Sequence, residues 1–108
     1  IKAAEKVSGV VVYPQEICEV AGDVPDVAES YALKVSSGER EFMRLYCALE
    51  KGADEEKARR EIMRACEQKL IVYARPREII FMDRLPRTAG GKVDAGKLRQ
   101  LAHENGDG

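Results

Sequence analysis

The sequence is poor in the residues that build metal centres and cross-linked scaffolds. Its 108 residues include one histidine, three cysteines and no tryptophan. The cysteines are odd in number, widely spaced and without a C-x-x-C pair, which excludes a disulfide framework and a zinc site. Each cysteine lies among apolar neighbours and is expected to be a small buried hydrophobe. Free thiols in turn predict a reducing, cytoplasmic setting. These residues are Cys18, Cys47 and Cys66.

Long apolar runs are also absent. Runs such as residues 10–13 are far shorter than the roughly 20 residues that a membrane span requires, and no basic-then-apolar signal segment opens the chain. We therefore expect no membrane span. The first residue is Ile1 rather than methionine, and we interpret the chain as a piece of a longer one.

The chain has no excess of positive charge. Eighteen basic and nineteen acidic residues give a net charge of −1, which disfavours a nucleic-acid partner. The charge is nevertheless uneven, because the segment from Gln15 to Glu29 is acidic and the segment from Arg84 to Arg99 is basic. A basic segment on a near-neutral protein suits an anionic ligand that is met locally. A solvated charged face is the alternative.

Apolar periodicity predicts seven elements in the order β-α-β-β-α-β-α. Pro14 and the acidic residues after it fit the first turn of a helix, and Asp54 and Asp94 fit the N-caps of the two later helices. The order predicts an α+β domain, a small mixed sheet of about three main strands flanked by helices. The predicted strands are 7–13, 27–35, 42–49 and 77–83, with a turn at 36–39 inside a hairpin loop of several residues; the helices are 14–21, ended by Gly22 and Asp23, 54–70 and 94–104.

Common catalytic motifs are missing: there is no H-E-x-x-H, G-x-S-x-G or G-x-G-x-x-G pattern. Lys92 follows two glycines in a loop between a strand and a helix, as in a phosphate-binding loop. That interpretation fails, because Pro86 and Val93 stand where the phosphate loop needs glycine and serine or threonine. What remains is a low-bulk loop, expected to be mobile, with one cation at its tip. It predicts either a contact to an anion or an ordinary surface turn.

A second segment combines β-forming residues with a glycine. Gly9 lies inside the apolar stretch that leads to Pro14. A glycine in a strand marks either a close approach of a ligand or another chain, or a β-bulge. The residues alone leave both alternatives open.

Taken together, these segments resemble the C-terminal domain of acyl-adenylate-forming enzymes, the superfamily of acyl-CoA synthetases, luciferases and peptide-synthetase adenylation domains. The opening K-V-S-G-x-x-V-Y-P-x-E-I is similar to the family's crossover segment, and the closing L-P-R-T-x-x-G-K-V-D to its terminal lysine motif. Between them, Tyr73-Ala74-Arg75-Pro76 resembles the family's Y-x-x-P. The three motifs keep the family's order and spacing over roughly residues 5–101.

The resemblance implies a two-step reaction. ATP, with Mg2+, and a carboxylic acid give an acyl-adenylate and pyrophosphate, and a thiol, usually coenzyme A, then takes the acyl group. It implies that residues 1–104 are the lid domain of an acid–CoA ligase for a fatty or aryl acid. The partner is a large N-terminal adenylation domain that holds ATP and the acid. The lid alone is expected to fold, to bind no cofactor and to lack ligase activity, with a frayed tail at residues 105–108.

The resemblance also implies roles for individual residues. Lys92 matches the catalytic lysine that contacts the reacting carboxylate and phosphate oxygens. Gly91, which precedes it in the motif, is expected to bind cofactor together with Lys6, Ser8 and Gly9. Gly9 matches the glycine that lines the pantetheine tunnel, next to Ser8, and Lys6 matches the basic residue before that glycine. The chain departs from the family where many relatives carry arginine three residues after the lysine, since residue 95 is alanine here.

Two alternatives belong to other functional classes. The first is a small α+β binding or dimerisation module in which the glycines around Lys92 form an ordinary turn. The second is an RNA-binding domain of KH type, which the missing G-x-x-G loop and the acidic pI of about 5.9 disfavour.

Overall fold

The fold combines three helices with two small sheets. The computed structural model describes the backbone of residues 3–106 and the side chains of residues 3–101. None of the helices in that range has the length and apolar character that a bilayer crossing demands. The elements are β1 (Glu5–Val7), β2 (Val10–Val12), α1 (Pro14–Gly22), β3 (Val27–Ser37), β4 (Arg40–Leu49), α2 (Glu55–Lys69), a 3-10 turn (Val72–Ala74), β5 (Pro76–Phe81) and α3 (Ala95–Gly106).

The main sheet is mixed, as the sequence predicts. Strand β4 lies at its centre, antiparallel to β3 and parallel to β5. Strands β1 and β2 form a separate antiparallel hairpin. The predicted α+β class and its three-stranded mixed sheet with flanking helices are therefore confirmed. The predicted fraying of residues 105–108 falls partly outside the described residues, since Asp107 and Gly108 are not described.

The predicted single strand over residues 7–13 is wrong. The chain reverses at Ser8 and Gly9, whose φ values of 51° and 85° are both positive, as the type I′ hairpin turn requires. Val7 then pairs with Val10, and Lys6 pairs with Val11. Gly9 is therefore a turn residue and forms no β-bulge. Three-residue strands are too short for alternation to reveal them in the sequence.

The loop between β3 and β4 is shorter than predicted. Ser37 pairs with Arg40, which leaves only Gly38 and Glu39 as the connection. Gly38 has a φ of 63°, the conformation that a two-residue hairpin loop needs at its first central position. The polar residues around the turn have the composition of a loop, but they lie on the exposed ends of two long strands.

Both faces of the main sheet are covered. Helices α1 and α2 pack on one face and α3 packs on the other, so each face has its own buried cluster. On the α3 face the buried Tyr46 hydroxyl donates to the Leu98 carbonyl at 3.2 Å and accepts from Arg44 at 3.3 Å. This bond fixes α3 to the sheet, and with it the segment that precedes α3 and carries Lys92.

The three cysteines lie in the hydrophobic core or pack against it. Cys47 and Cys66 are buried, as predicted, whereas Cys18 is half-buried. Burial raises the pKa of the Cys47 thiol to about 12 and that of Cys66 to about 11. Both thiols therefore stay protonated, and unreactive as nucleophiles, across the physiological pH range.

These buried thiols predict an alkaline loss of stability. An unfolded cysteine ionises near 9.0 and folded Cys66 near 11, so stability is complete below pH 9 and falls as the pH rises towards 11. The expected loss is about 1.4 kcal/mol per pH unit for each thiol. Urea unfolding from pH 8 to 10.5 should show a shallower decline in Cys66→Ala than in the unmodified chain. Equal slopes in the two proteins would contradict this account.

Candidate functional site

The segment Pro86–Asp94, here called the lysine loop, is closed by its own backbone. The Thr88 N–H donates to the Lys92 carbonyl at 2.8 Å, and the Gly91 N–H donates to the Thr88 carbonyl at 2.9 Å. At the base of the loop the Asp94 N–H donates to the Pro86 carbonyl at 2.9 Å. The loop is thus more ordered than its glycines predict.

Two residues explain why the loop closes and then leads into a helix. Gly91 has a φ of 89°, in the left-handed region that favours glycine. The Asp94 side chain accepts from the Lys97 N–H at 3.0 Å, which makes Asp94 the predicted N-cap of α3. The loop therefore has a fixed exit, and Lys92 lies between a glycine turn and a capped helix.

The Lys92 side chain points out of the domain. It is exposed, while its backbone N–H donates to the Thr88 hydroxyl at 3.3 Å. Among the side chains of residues 3–101, no carboxylate forms an ion pair with its ammonium group. The cation is therefore available to an anion that approaches from outside this domain.

The turn between β1 and β2, here called the hairpin tip, consists of Ser8 and Gly9. The Glu41 carboxylate accepts from the Ser8 N–H at 2.8 Å. The Lys34 ammonium donates to the Lys6 carbonyl at 3.2 Å and lies 3.9 Å from the same Glu41 carboxylate. Charged side chains of β3 and β4 thus hold the hairpin tip against one end of the main sheet.

No described residue crowds Gly9. A Cβ atom built on it meets no heavy atom within 4 Å, and the same holds for Gly91. Ser8, Gly9 and Lys6 are all exposed. Among the described residues, the positive φ is the one feature that favours glycine at residue 9, so they supply no steric reason for it to lack a side chain.

The lysine loop and the hairpin tip are tethered to opposite ends of the main sheet. Glu41, which holds the tip, is near the start of β4; Glu29, which pairs with Arg87 of the loop, is opposite Ala48 near the end of β4. Seven residues separate Glu41 from Ala48 along the strand. At about 3.3 Å per residue this is roughly 23 Å.

The lysine loop and the hairpin tip also lie on opposite faces of the main sheet. Side chains alternate along a strand, so Glu41 shares the face of Met43, which is buried beneath α1 and α2. Glu29 shares the face of Leu33, which packs in the α3 cluster. The structure therefore does not bring Lys92 together with Ser8, Gly9 and Lys6, and the candidate residues form two separate surfaces.

An arginine-lined groove runs along β4 and β5 on the α3 face and continues past β5 to α2. Arg77 stacks over the Phe42 ring at 5.6 Å, and Arg44 pairs with Glu78 at 2.6 Å. The groove lies towards the β3–β4 turn, whereas the lysine loop is tethered at the opposite end of β3. Its arginines are Arg40, Arg44, Arg59, Arg77 and Arg99.

Sequence reasoning missed the residues that hold both surfaces in place. It assigned Arg87 no role of its own beyond its place in a basic segment and in the lysine motif. In the structure the Arg87 guanidinium pairs with Glu29, 58 residues away, and donates to the Gly91 carbonyl at 3.1 Å. Glu41 holds Ser8 across 33 residues. No local spacing signals such contacts, because they depend on how the strands align.

Comparison with known proteins identifies the family. The sequence model of a protein family, the AMP-binding enzyme C-terminal domain, matches residues 16–92, which is most of the chain. The chain belongs to this family. The AMP-binding C-terminal domain is a part of acyl-adenylate-forming enzymes, so the resemblance carried by the three motifs is confirmed. This membership excludes the KH-type alternative and favours an enzyme domain over a binding module.

The relatives are full-length CoA ligases. The chain is 34% identical over 93 residues to 2-succinylbenzoate–CoA ligase of Bacillus cereus, covering 86% of this chain and 19% of the relative. It is 34% identical over 98 residues to 3-hydroxybenzoate–CoA/4-hydroxybenzoate–CoA ligase of Thauera aromatica, covering 89% of this chain and 19% of that enzyme. The chain thus spans about a fifth of the length of these curated relatives.

Solved structures likewise match this chain over about a fifth of their length. The anthranilate CoA ligase AuaEII in complex with anthranoyl-AMP superimposes with a TM-score of 0.81 and 32% identity, covering 92% of this chain and 20% of that one. Apo MatB from Rhodopseudomonas palustris gives a TM-score of 0.80 and 29% identity, covering 92% and 20%. In both cases the matching part is about a fifth of the solved chain.

Proposed function

We propose that this chain is the mobile C-terminal domain of an ATP-dependent acid–CoA ligase, here called the parent enzyme. It acts on a reaction centre housed in an N-terminal adenylation domain of the same protein. The observation that carries the proposal is the exposed ammonium group of Lys92 on an ordered loop, without an ion pair to the described side chains. The names of the relatives support the reaction class, and the matched length supports a larger parent enzyme.

In the first half-reaction, Lys92 serves adenylation. A carboxylate oxygen of the acid attacks the α-phosphorus of ATP, the bond to the β-phosphate oxygen breaks, and pyrophosphate leaves with its Mg2+. Negative charge builds on the α-phosphate oxygens during the attack. A cation placed there in a water-excluded site stabilises the transition state more than the ground state. Lysine suits this task because its ammonium group is a compact point charge.

In the second half-reaction, the hairpin tip serves thioester formation. The sulfur of coenzyme A attacks the acyl carbonyl carbon, the bond from that carbon to the AMP phosphate oxygen breaks, and AMP leaves while the thiol proton passes to solvent. We place the Ser8-Gly9 turn along the path of the pantetheine arm, where a side chain at residue 9 would obstruct the thiol. Lys6, exposed beside the turn, adds a cation near the anionic substrate.

Gly91 contributes to the first half-reaction by allowing the turn that presents Lys92.

The two surfaces require the domain to move between half-reactions. They lie on opposite faces and roughly 23 Å apart along the sheet, so one static pose does not bring both to a single reaction centre. A rigid-body rotation of the whole domain, a hinge motion, exchanges one surface for the other. The ordered loop and the tethered tip support rigid-body motion over rearrangement of either segment.

The acid is of the fatty or aryl class, and the aromatic acids in the names of the relatives favour aryl. Its pocket belongs to the adenylation domain in this proposal, so residues of this chain do not select it. A cytoplasmic setting remains the prediction from the free thiols.

The proposal predicts how activity divides between the chain and the parent enzyme. The purified 108-residue chain should form no AMP from ATP and a panel of aryl and fatty acids, because it has no adenylation domain. The parent enzyme should catalyse acid-dependent exchange of pyrophosphate into ATP. AMP formation by the chain alone, or a parent enzyme without acid-dependent exchange, would overturn the proposed function.

A further inference from the structure

One peptide unit of the lysine loop is held at both of its polar atoms. The Gly91 carbonyl accepts from an Arg87 guanidinium nitrogen at 3.1 Å. The Lys92 N–H, at the other end of the same peptide bond, donates to the Thr88 hydroxyl at 3.3 Å. The second terminal nitrogen of Arg87 pairs with the Glu29 carboxylate on β3. A chain of contacts thus runs from the sheet to the backbone beside Lys92.

We propose that Arg87, oriented by Glu29, is a positioning residue that sets the direction of the Lys92 side chain. This inference rests on the proposed role of Lys92 in adenylation. The peptide plane before a residue sets where its Cα–Cβ bond points. Fixing the Gly91–Lys92 peptide therefore aims the ammonium group before substrate arrives.

The neighbouring backbone shows why such a restraint is needed. Gly91 has no side chain and occupies a positive φ of 89°, so its backbone rotates more freely than that of other residues. The Arg87 guanidinium presents several donors in a planar fork, which lets it bind a carboxylate and a carbonyl together. Lysine carries a single ammonium nitrogen and lacks this fork.

Stability does not account for the Glu29–Arg87 pair. The Arg87 side chain is 47% exposed and that of Glu29 is 30% exposed, and exposed ion pairs add little to folding. The carboxylate also offsets the charge of Arg87, so its contribution to the field at the reaction centre is smaller than that of unpaired Lys92. Orientation of the loop is the role that remains.

The test uses the parent enzyme and separates its two half-reactions. Arg87→Ala should lower kcat of acyl-adenylate formation by about 10- to 100-fold, the range expected for a small misplacement of a reacting group. KM for ATP, acyl transfer from supplied acyl-adenylate to coenzyme A and the melting temperature should stay near their original values. Glu29→Gln should give a smaller loss of the same kind. Arg84→Ala, which removes an exposed arginine three residues earlier, is the matched control and should change nothing.

A double variant distinguishes positioning from a direct charge effect. Because Arg87 acts only through Lys92, adding Arg87→Ala to Lys92→Ala should cause no further loss of adenylation. Three results would overturn this inference and leave the proposed function standing. They are additive losses in the double variant, an equal loss of Arg87→Ala in both half-reactions, and full activity of Arg87→Ala beside an impaired Lys92→Ala. Unimpaired adenylation in Lys92→Ala would instead overturn the proposed function and the inference with it.

Discussion

Replacing Lys92 with alanine in the parent enzyme should slow acyl-adenylate formation by about 10²- to 10³-fold, or about 2.7–4 kcal/mol of lost transition-state stabilisation. The side chain is exposed and forms no ion pair with the described residues, so its removal leaves no buried partner unsatisfied in this domain. Single-turnover release of pyrophosphate from ATP and the acid measures the effect.

The second half-reaction and a neighbouring lysine are the controls. Acyl transfer from supplied acyl-adenylate to coenzyme A should be nearly unchanged, because in the proposed function Lys92 withdraws from the centre during that step. Lys97→Ala removes another exposed lysine five residues along and should affect neither half-reaction. An equal loss in both half-reactions of Lys92→Ala, or an equal loss in Lys97→Ala, would contradict the assigned role.

Replacing Gly9 with leucine should produce the reverse pattern. The side chain would enter open space within the domain but would obstruct the path of the pantetheine arm. Forcing bulk into a packed site costs about 1–3 kcal/mol, so acyl transfer should slow by about 5- to 150-fold. Adenylation should be almost unaffected, since in the proposed function the hairpin tip lies away from the centre in that step. Rapid-quench measurement of both half-reactions checks this.

Gly52 offers a closely matched control for backbone strain. Its φ is 86°, against 85° for Gly9, and a Cβ atom there also meets nothing within 4 Å. Gly52→Leu therefore carries the same left-handed strain, about 1–2 kcal/mol, at a position without a proposed role. Both variants should lose similar stability, and only Gly9→Leu should lose acyl transfer. If Gly52→Leu slows acyl transfer as strongly, strain and not obstruction explains the effect.

Local physical signals predicted the larger elements. Pro14 begins α1, and the Asp54 side chain accepts from the Glu56 N–H at 3.0 Å as the N-cap of α2. These signals suffice because proline and capping residues act through their immediate neighbours. The hairpin at residues 5–12 escaped prediction because its strands are three residues long and its turn carries serine in place of the first expected glycine or asparagine.

For the candidate site too, the sequence predicted the local features and missed the long-range contacts. The sequence motif predicted Lys92 at the tip of a loop before a capped helix, and the structure places it there, exposed. The motif did not predict that Glu29 and Glu41 anchor the two surfaces at opposite ends of the sheet. That arrangement depends on strand register, which pairs residues far apart in sequence and has no local spacing of its own.

In the proposed function, one rigid domain presents two opposite surfaces to one reaction centre in turn. Pulsed electron resonance distances in the parent enzyme test it directly, with a fixed spin label beside the nucleotide site of the adenylation domain. The second label is placed on the lysine loop by Ala89→Cys or on the hairpin by Val11→Cys, both exposed positions. Cys18→Ser removes the half-buried thiol, and burial with a raised pKa keeps Cys47 and Cys66 from reacting.

Distances are compared between the enzyme with ATP and acid and the enzyme with an acyl-adenylate analogue and coenzyme A. The account predicts that the loop label moves away from the nucleotide site and the hairpin label moves towards it, each by on the order of 20 Å, the spacing of the two surfaces along the sheet. Unchanged distances, or both labels moving in the same direction, would contradict it.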